Sequence, residues 1–354
     1  MATATIQSIS GSLARDVVLV DRKNKPGWDH YVHEASGVIA WHGYDWCHLL
    51  QHHHGAEFYP LAVYDGPRIC GILPLYRLRL FRKDALISVP YFVAGGIAAG
   101  DQAVQQALLN KAIEISNQLH IPTITFKQYK LKLEGTLLTD ENYYNRELEL
   151  EPDLDRVWQR ITERNRTKIK EAQQYSSEWD YPSSDVTSFY RLLLHDQHAS
   201  GVPCVSRKWV EDLYRTGMYE IALLRYKGEL VAGTMVKKFR DTVSFPFSCL
   251  QDHAERTELF AYMLYWKLIS VLSQQGIHIM HSGRIPKTDA AFGYRLGWGG
   301  TKYNYYYQYH GMGEGSTEFS TKRGRKRALI ESVWKRMPVS VAGALGPVVV
   351  KQFP

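Results

Sequence analysis

The 354-residue sequence has no run of about 18 uncharged apolar residues, so we expect no transmembrane helix. Its first residues lack the charged start and apolar run of an export signal, which predicts a cytoplasmic protein. The four cysteines form no CxxC pair, so neither a zinc site nor a disulfide framework is expected. With 45% hydrophobic and 22% charged residues, the chain is typical of a globular protein with two domains.

Positive charge is concentrated at the end of the chain. Residues 322–354 hold eight basic residues and one acidic residue, which accounts for the whole net charge of +7. In "ALIESVWKRMP" apolar residues recur at helical spacing between basic flanks, and the apolar "VSVAGALGPVVVKQF" that follows is too short and glycine-rich to cross a bilayer. We expect residues 322–354 to bind an anionic membrane, which makes the protein peripheral on the inner membrane face. The alternative is a terminal helix that packs on the protein's own core.

Segments typical of strands and helices alternate along the rest of the chain. The pattern predicts strands over 57–65, 68–79, 86–93 and 123–129, with a helix over 101–119. A long helix is predicted over 153–174, a single strand over 241–250, and a last strand over 302–310. The predicted fold class is α/β with mixed sheets, in two similar domains (1–150 and 151–315) followed by a basic amphipathic tail (316–354).

Several segments, in the same order over residues 28–353, resemble the FemAB family of proteins. They include "GILPLYRLRL", "ITERNRTKIKEA", "GVPCVSRKWVEDL" and "MHSGRIPKTDAAFGYRLGWGGTKYNYYYQY". Together with "VWKRMPVSVAGALGPVVVKQF", they are most similar to the branch found beside exopolysaccharide and PEP-CTERM/exosortase gene sets. The resemblance implies a pair of GNAT-like acyltransferase domains, and some members of the family transfer amino acids from aminoacyl-tRNA to peptidoglycan precursors.

The sequence departs from the pattern of that branch at two places. The usual Phe-Asp-Phe-Gly-Arg is replaced by Met280-His281-Ser282-Gly283-Arg284, so a histidine stands where the acid is expected. A usual Phe-Lys is replaced by Tyr294-Arg295. In peptidoglycan-acting relatives that lysine helps to bind a diphosphate, and arginine keeps the charge while offering a two-pronged grip.

The same segment indicates an anion-binding site without the family. Arg284 follows a strand end and Arg295 lies one helical stretch later, so the two guanidinium groups can converge on a phosphate or carboxylate. We expect Tyr294 and Trp298 to line the same pocket, where Trp298 offers a flat apolar face beside glycines. The alternative is structural, with Arg284 paired to a core carboxylate and Trp298 packed in the core.

The predicted long helix supplies a second group of polar candidates. Asn165 lies in the middle of an apolar stripe, with Arg164 and Lys168 near its edges, so Asn165 needs a partner or a cavity. If the stripe packs in the cleft between the domains, these three side chains would join the anionic pocket. The alternative is a buried amide with satisfied hydrogen bonds and solvated basic flanks.

His281 is the predicted catalytic residue, since a neutral imidazole at a strand end can accept a proton from an attacking amine. A purely structural role is its alternative. His48 and His52 share a helix face as metal ligands can, but no Cys, Asp or Glu stands at a matching spacing. No metal site is therefore predicted.

The place where an acetyl-CoA enzyme of this fold binds pyrophosphate reads "FSCLQDHAERTELFAYM" and contains no glycine. Acetyl-CoA therefore ranks below another acyl donor such as aminoacyl-tRNA, which makes tRNA a possible partner. We expect an N-acyl- or aminoacyltransferase that forms an amide on a cell-envelope or exopolysaccharide precursor. An acyl-CoA-dependent N-acetyltransferase and a catalytically silent scaffold remain open.

Overall fold

The computed structural model describes residues 16–80, 83–252, 256–288, 297–312 and 331–354. The elements of the N-terminal half are β1 (Val17–Leu19), α1 (Lys25–Glu34), α2 (Trp46–His54), β2 (Glu57–Asp65), β3 (Arg68–Arg79), β4 (Asp84–Ser88), β5 (Ala98–Ala99), α3 (Gln102–Gln118), β6 (Ile124–Tyr129), β7 (Leu138–Asp140) and β8 (Tyr143–Glu149). Those that follow are α4 (Leu154–Arg160), α5 (Glu163–Gln173), β9 (Glu178–Asp180), α6 (Val186–Ala199), α7 (Arg207–Arg215), β10 (Tyr219–Tyr226), β11 (Glu229–Phe239), β12 (Thr242–Ser244), β13 (Ser248–Leu250), α8 (Thr257–Gln274), β14 (Ile279–His281), β15 (Ile285–Pro286), β16 (Thr301–His310) and α9 (Val339–Val350).

The strands form one continuous mixed sheet in the order β1-β2-β3-β4-β6-β16-β8-β14-β12-β11-β10-β9. Each half contributes one parallel pair, β4 with β6 and β12 with β14, among antiparallel neighbours. The last strand joins the halves, because Thr301–Asn304 pair with β8 and Tyr305–His310 pair with β6. The α/β fold class predicted from the sequence is confirmed. The boundary near residue 150 stays a prediction, and β8, which precedes it, pairs with β14 and β16.

The hydrophobic core continues across the two halves. Trp46 and Leu50 of α2 pack in the same cluster as Trp209 and Val210 of α7 and Tyr219 of β10, and all five are almost fully buried. Separate clusters lie between α3 and the N-terminal strands and between α8 and the C-terminal strands. Because a buried cluster joins the halves, side chains from both can form one site.

The single strand predicted over 241–250 is wrong. Residues Phe245–Phe247 separate β12, which pairs in parallel with β14, from β13, which pairs with β11. Pro246 in this break has no N–H and cannot continue the ladder. The parallel pairing of β12 and β14 therefore ends at Ser244 and His281, and the two strands separate beyond that point.

The long helix predicted over 153–174 is also wrong, since it is broken into α4 and α5. Ile161 and Thr162 are extended, and the Thr162 hydroxyl caps α5 by accepting a hydrogen bond from the backbone N–H of Asn165. The backbone N–H and the hydroxyl of Thr162 both donate to the carbonyl of Gly297, at 2.9 and 3.1 Å. The break thus ties α5 to the segment that leads into Trp298.

Residues 331–336 are helical, as the apolar spacing in "ALIESVWKRMP" predicts, and 339–350, for which no helix was predicted, form α9. Trp334 is buried, and a Cβ on Gly346 would lie 2.6 Å from the carbonyl oxygen of Cys204, so α9 approaches that loop closely. The alternative of a terminal helix packed on its own core is therefore realised by one helix face. Residues 316–330 of the predicted tail lie outside the described residues. Among the residues that the structure describes, no helix has the length and hydropathy needed to cross a bilayer.

Candidate active site between the two halves

A cavity of about 360 Å³ opens where β12 and β14 separate. Ser244 and His281, the last parallel pair, lie on its wall together with Met280 of β14 and Tyr265 of α8. The N-terminal half contributes aromatic side chains, among them those of Trp41, Tyr91 and Phe92. A cleft of this size can hold a small reacting group.

Four adjacent strands place one residue each in a row, and the first three of these residues line the cavity. Lys237 of β11 pairs in register with Ser244 of β12, which pairs with His281 of β14, which pairs with Glu147 of β8. Residues in register on neighbouring strands share a sheet face at a spacing of about 4.8 Å. The row therefore presents an amine, a hydroxyl, an imidazole and a carboxylate on one face.

The ring of His281 is held in one tautomer by Asn145 of β8. The backbone N–H of Gly283 donates to Asn145 Oδ1 at 3.0 Å, which fixes the orientation of the amide. Asn145 Nδ2 then donates to Tyr129 Oη at 2.7 Å and to His281 Nδ1 at 2.8 Å. Since Nδ1 accepts, the proton of the neutral ring is on Nε2, which has no hydrogen-bond partner among the described residues.

Burial lowers the pKa of His281 to about 4, so the ring is neutral at physiological pH. A neutral imidazole with its proton on Nε2 is a hydrogen-bond donor to the cavity and not a proton acceptor there. The role as proton acceptor stays a prediction, and the geometry favours a different one. From this position Nε2–H can donate to an oxygen that becomes negative during acyl transfer.

Glu147 anchors the other side of this network. Its side chain is 8% exposed and accepts hydrogen bonds from the Tyr129 hydroxyl at 2.7 Å and the Lys130 ammonium at 2.8 Å. Burial, followed by the bond to Glu147, raises the pKa of Tyr129 far above its ordinary value, so the hydroxyl remains a donor. His281 Nδ1 lies 3.8 Å from Glu147 Oε1. The carboxylate thus holds Tyr129, which in turn holds Asn145 against the imidazole.

Arg284 lies on the cavity wall with no carboxylate partner in the described part of the chain. Its guanidinium is 4.8 Å from the ring centre of Tyr143 and 6.0 Å from that of Tyr307, and it donates to the Tyr307 hydroxyl at 3.4 Å. The pairing of Arg284 with a core carboxylate, considered above, is not found among these residues. The exposed guanidinium is therefore free to meet an anionic ligand.

Trp298 reaches the cavity by packing against α8. Its ring centre lies 5.9 Å from that of Tyr262 and 6.0 Å from that of Tyr265, and its side chain is 2% exposed. The indole N–H is buried and has no acceptor among the described residues. Tyr294 and Arg295, predicted to lie beside Trp298, fall outside the described residues.

Arg164, Asn165 and Lys168 do not join the cavity, because α5 packs against α8 and not in the cleft between the halves. Asn165 is fully buried, accepts a hydrogen bond from the Tyr262 hydroxyl at 3.2 Å, and leaves no room for a Cβ on Gly297. Arg164 is exposed, and Lys168 pairs with Glu171 at 2.9 Å. These placements match the satisfied amide and solvated flanks given as the alternative.

The residues that sequence reasoning missed come mostly from β8. Asn145 and Glu147 alternate with Tyr144 and Leu148, so polar side chains face one side of a buried strand. This alternation of polar and apolar residues was the available signal. The lysine in the row, Lys237, ends an otherwise apolar strand and gave no separate signal.

The histidine cluster has an acidic neighbour that its sequence spacing does not show. His52, His53 and Asp212 of α7 have ligand atoms within 4.8 Å of one another. The Asp212 carboxylate also pairs with Lys208 and Arg215, both at 2.8 Å, so two cations already compensate its charge.

The chain is similar in structure to several transferases of known fold. It superposes on FemX with a TM-score of 0.66 at 10% identity, over 86% of this chain and 99% of that one. With the C-terminal domain of a candidate lysylphosphatidylglycerol synthetase from Agrobacterium fabrum the TM-score is 0.54 at 10% identity, over 88% and 96%. With a tandem GNAT protein from the clavulanic acid biosynthesis pathway it is 0.52 at 12% identity, over 84% and 99%. In sequence, the chain matches no protein-family model and no curated protein. The structural likenesses show that the fold is the FemX-like tandem GNAT fold, as the sequence resemblance implies.

Proposed function

We propose that this protein is an acyltransferase that forms an amide bond in the cavity between its halves. The observation that carries the proposal is the separation of the parallel strands β12 and β14 beside a cavity of about 360 Å³, with the neutral His281 on its wall. In the reaction, the nitrogen of a neutral acceptor amine bonds to the carbonyl carbon of the donor, and the bond to the donor's ester oxygen or thioester sulfur breaks. The departing oxygen or sulfur takes up the proton that the amine nitrogen loses. His281 Nε2–H would donate to the carbonyl oxygen as its charge develops.

The substrates that we propose are an aminoacyl-tRNA as donor and a cell-envelope or exopolysaccharide precursor as acceptor. Arg284 supports a phosphorylated ligand, because its guanidinium lines the cavity without a carboxylate partner among the described residues and can bind phosphate oxygens. The structural likeness to FemX supports the aminoacyl donor. The likeness to a tandem GNAT protein supports a second candidate, an acyl-CoA-dependent N-acetyltransferase.

A transfer assay separates these donors. Labelled aminoacyl-tRNA or labelled acetyl-CoA would be incubated with envelope precursors, and label in base-stable amide product would be measured for the wild type, Arg284→Ala and Arg284→Lys. We expect product from aminoacyl-tRNA. In a separate binding titration, we expect Arg284→Ala to bind inorganic pyrophosphate about tenfold or more weakly than the wild type, and Arg284→Lys to recover this binding only in part. Product from acetyl-CoA alone would reverse the ranking, and no product from either donor would favour a scaffold.

We also propose that the C-terminal segment places the protein on the anionic inner face of the membrane. While Ala342 and Gly346 pack inward, the outer face of α9 exposes Val341, Leu345 and Val348 by 43%, 45% and 53%. Lys335 and Arg336 are exposed just before this face. Apolar side chains beside basic ones suit the boundary between headgroups and acyl chains.

Point variants test this membrane role more cleanly than deletion, because removing α9 would uncover the surface against which Ala342 is buried. Replacing Val341, Leu345 and Val348 by serine should release the protein from phosphatidylglycerol vesicles in a sedimentation assay. The matched control is Val18→Ser with Leu19→Ser, which removes exposed apolar groups on β1. Equal sedimentation of both variants would contradict the proposal.

A further inference from the structure

The Lys237 side chain combines deep burial with the absence of a partner. The residue is 5% exposed, and its ammonium makes no hydrogen bond or ion pair with the described residues. Nζ lies 5.5 Å from the ring of Trp46 and 5.4 Å from the ring of Tyr219, which approach it from α2 and β10. Lysines are almost never buried to this degree without a paired charge.

Two cavities share Lys237 as a wall residue. Lys237, Ala40 and Phe239 line both the 360 Å³ cavity above His281 and a second cavity of about 420 Å³ between α1, α2 and the strands β10 and β11. Lys237 is also next to Ser244 in the cross-strand row, two strands from His281. A ligand that enters the active-site cavity can therefore reach the amine.

The Lys237 amine remains mainly charged in its surroundings, although no described residue provides a counter-ion. Burial lowers the pKa of Lys237 to about 8, so the group is still mainly protonated at neutral pH. The two aromatic faces favour the ammonium form, but they do not neutralise its charge. A neighbouring lysine on the same strand shows the usual solution, since Lys238 pairs with Glu220 at 2.9 Å. A buried cation left without such a pair is costly unless a ligand supplies the anion.

We propose that the Lys237 ammonium binds a carboxylate of the ligand that occupies the active-site cavity. A phosphate normally takes several donors, such as backbone N–H groups or an arginine fork. The Lys237 ammonium lies over two aromatic rings, and the next side chain in the row is a single hydroxyl, that of Ser244. The neighbouring cations Lys238 and Arg240 line only the second cavity. A singly charged carboxylate matches this one ammonium, whereas the several donors of the Arg284 guanidinium suit a phosphate.

This assignment narrows the class of substrate, and it rests on the proposed function. If the reacting carbonyl lies over His281, the carboxylate lies roughly 10 Å away, two strand spacings along the row. The ligand would then be an amino acid or peptide with a free carboxylate, in addition to any phosphorylated part held by Arg284. Binding at Lys237 can be measured without any transfer reaction.

The test uses N-acetylglycine as the carboxylate probe and N-acetylglycinamide as its uncharged match. Calorimetric titrations and melting temperatures would be compared for the wild type, Lys237→Met and Lys302→Met. Lys302 is the matched control because it lies 4.3 Å over the Tyr144 ring but is exposed and lines neither cavity. We expect the acid to bind the wild type and Lys302→Met equally, and Lys237→Met at least tenfold more weakly, with no saturable binding of the amide.

A second measurement needs no variant and covers the case in which Lys237→Met does not fold. Acetic anhydride would label the wild-type protein, and the rate at Lys237 and at Lys302 would be read by peptide mass spectrometry. We expect N-acetylglycine to slow labelling at Lys237 alone, and inorganic phosphate at equal ionic strength to leave it unchanged. Equal binding of acid and amide, unaltered labelling, or stronger protection by phosphate would overturn the proposal. Failure of the transfer assay alone would leave it standing, because neither measurement involves transfer.

Discussion

The two halves of the chain have the same parallel strand pair, and they differ in what lies beyond it: the C-terminal pair opens into a cavity, whereas the chain folds back over the N-terminal pair. After β4 the chain turns back over the gap, where the Lys127 ammonium donates to the Phe92 carbonyl at 3.1 Å and Phe92 stacks on Trp41 at 4.3 Å. After β12 the corresponding gap above His281 holds no such segment among the described residues. Protein side chains thus fill in the first half the space that a ligand can occupy in the second.

The filled gap also has a function for the open one. Phe92 packs in the inter-half core and at the same time lines the cavity above His281. The first half therefore builds a wall of the site in the second, which explains why the halves share a buried core. The C-terminal half thus contains the cavity, and the N-terminal half supplies part of its wall.

The largest expected effect is a loss of stability on removal of the Phe92 ring, which helps to fill the gap beyond β4. Phe92→Ala should lower the free energy of unfolding by about 3–5 kcal/mol, because a large buried ring in a stack is lost and a cavity remains. Urea unfolding monitored by circular dichroism measures this. A loss of under about 1 kcal/mol would show that the segment after β4 is not packed as described.

Removing the hydrogen-bond donor of His281 from the open gap should lower the transfer rate and leave the fold intact. His281→Phe keeps a flat ring but removes the Nε2–H donor, so we expect a rate loss of about 10²–10³-fold with a melting temperature close to that of the wild type. His281→Gln, which retains an N–H donor, should recover part of the rate. Single-turnover kinetics at saturating donor measure both, and a wild-type rate in His281→Phe would count against the donor role.

Each half has a histidine with a lowered pKa, so acid should destabilise both halves. Burial lowers the pKa of His42 and of His281 to about 4, from 6.5 in the unfolded chain. Between pH 6.5 and 4 only the unfolded state takes up the proton, so stability falls as the pH falls through this window. From pH 7 to pH 5 each histidine should cost about 2 kcal/mol. His281→Phe should therefore show about half the acid destabilisation attributed to this pair, and an unchanged pH dependence would contradict the buried neutral state.

The smallest expected effect concerns the side chains that the structure places away from both gaps. Arg164→Ala and Lys168→Ala should change the transfer rate by less than about twofold, because exposed charges of this kind contribute little. Steady-state kinetics would show this, and a loss comparable to that of Arg284→Ala would mean that α5 contacts the substrate.

Sequence patterns predicted the elements whose apolar periodicity is strong. Strand β3 and helix α3 are examples, and α3 begins at Asp101, whose side chain accepts from the N–H groups of Ala103 and Val104. Strand β8 was missed because Asn145 and Glu147 interrupt its hydrophobic pattern. Helix α9 was missed because glycines and Pro347 within it oppose helix formation.

The candidate site was predictable only where its residues are close in sequence. His281, Arg284 and Trp298 lie in one stretch that resembles a family motif, and all three line the cavity. The partners that set the tautomer and charge of the site come from β6 and β8, more than a hundred residues earlier. No local pattern indicates that Asn145 meets His281, because the contact exists only through strand order.

The most direct test of the account is to fill the open gap as the other is filled. Ser244→Trp should insert a ring into the cavity above His281 and abolish amide formation, while Ser244→Ala, the matched control, should keep the rate within about threefold because it removes only one half-buried hydroxyl. Transfer rates would be measured with the donor and acceptor established for the wild type, alongside melting temperatures. The account predicts a folded but inactive Ser244→Trp protein, and a folded variant that transfers at the wild-type rate would contradict it.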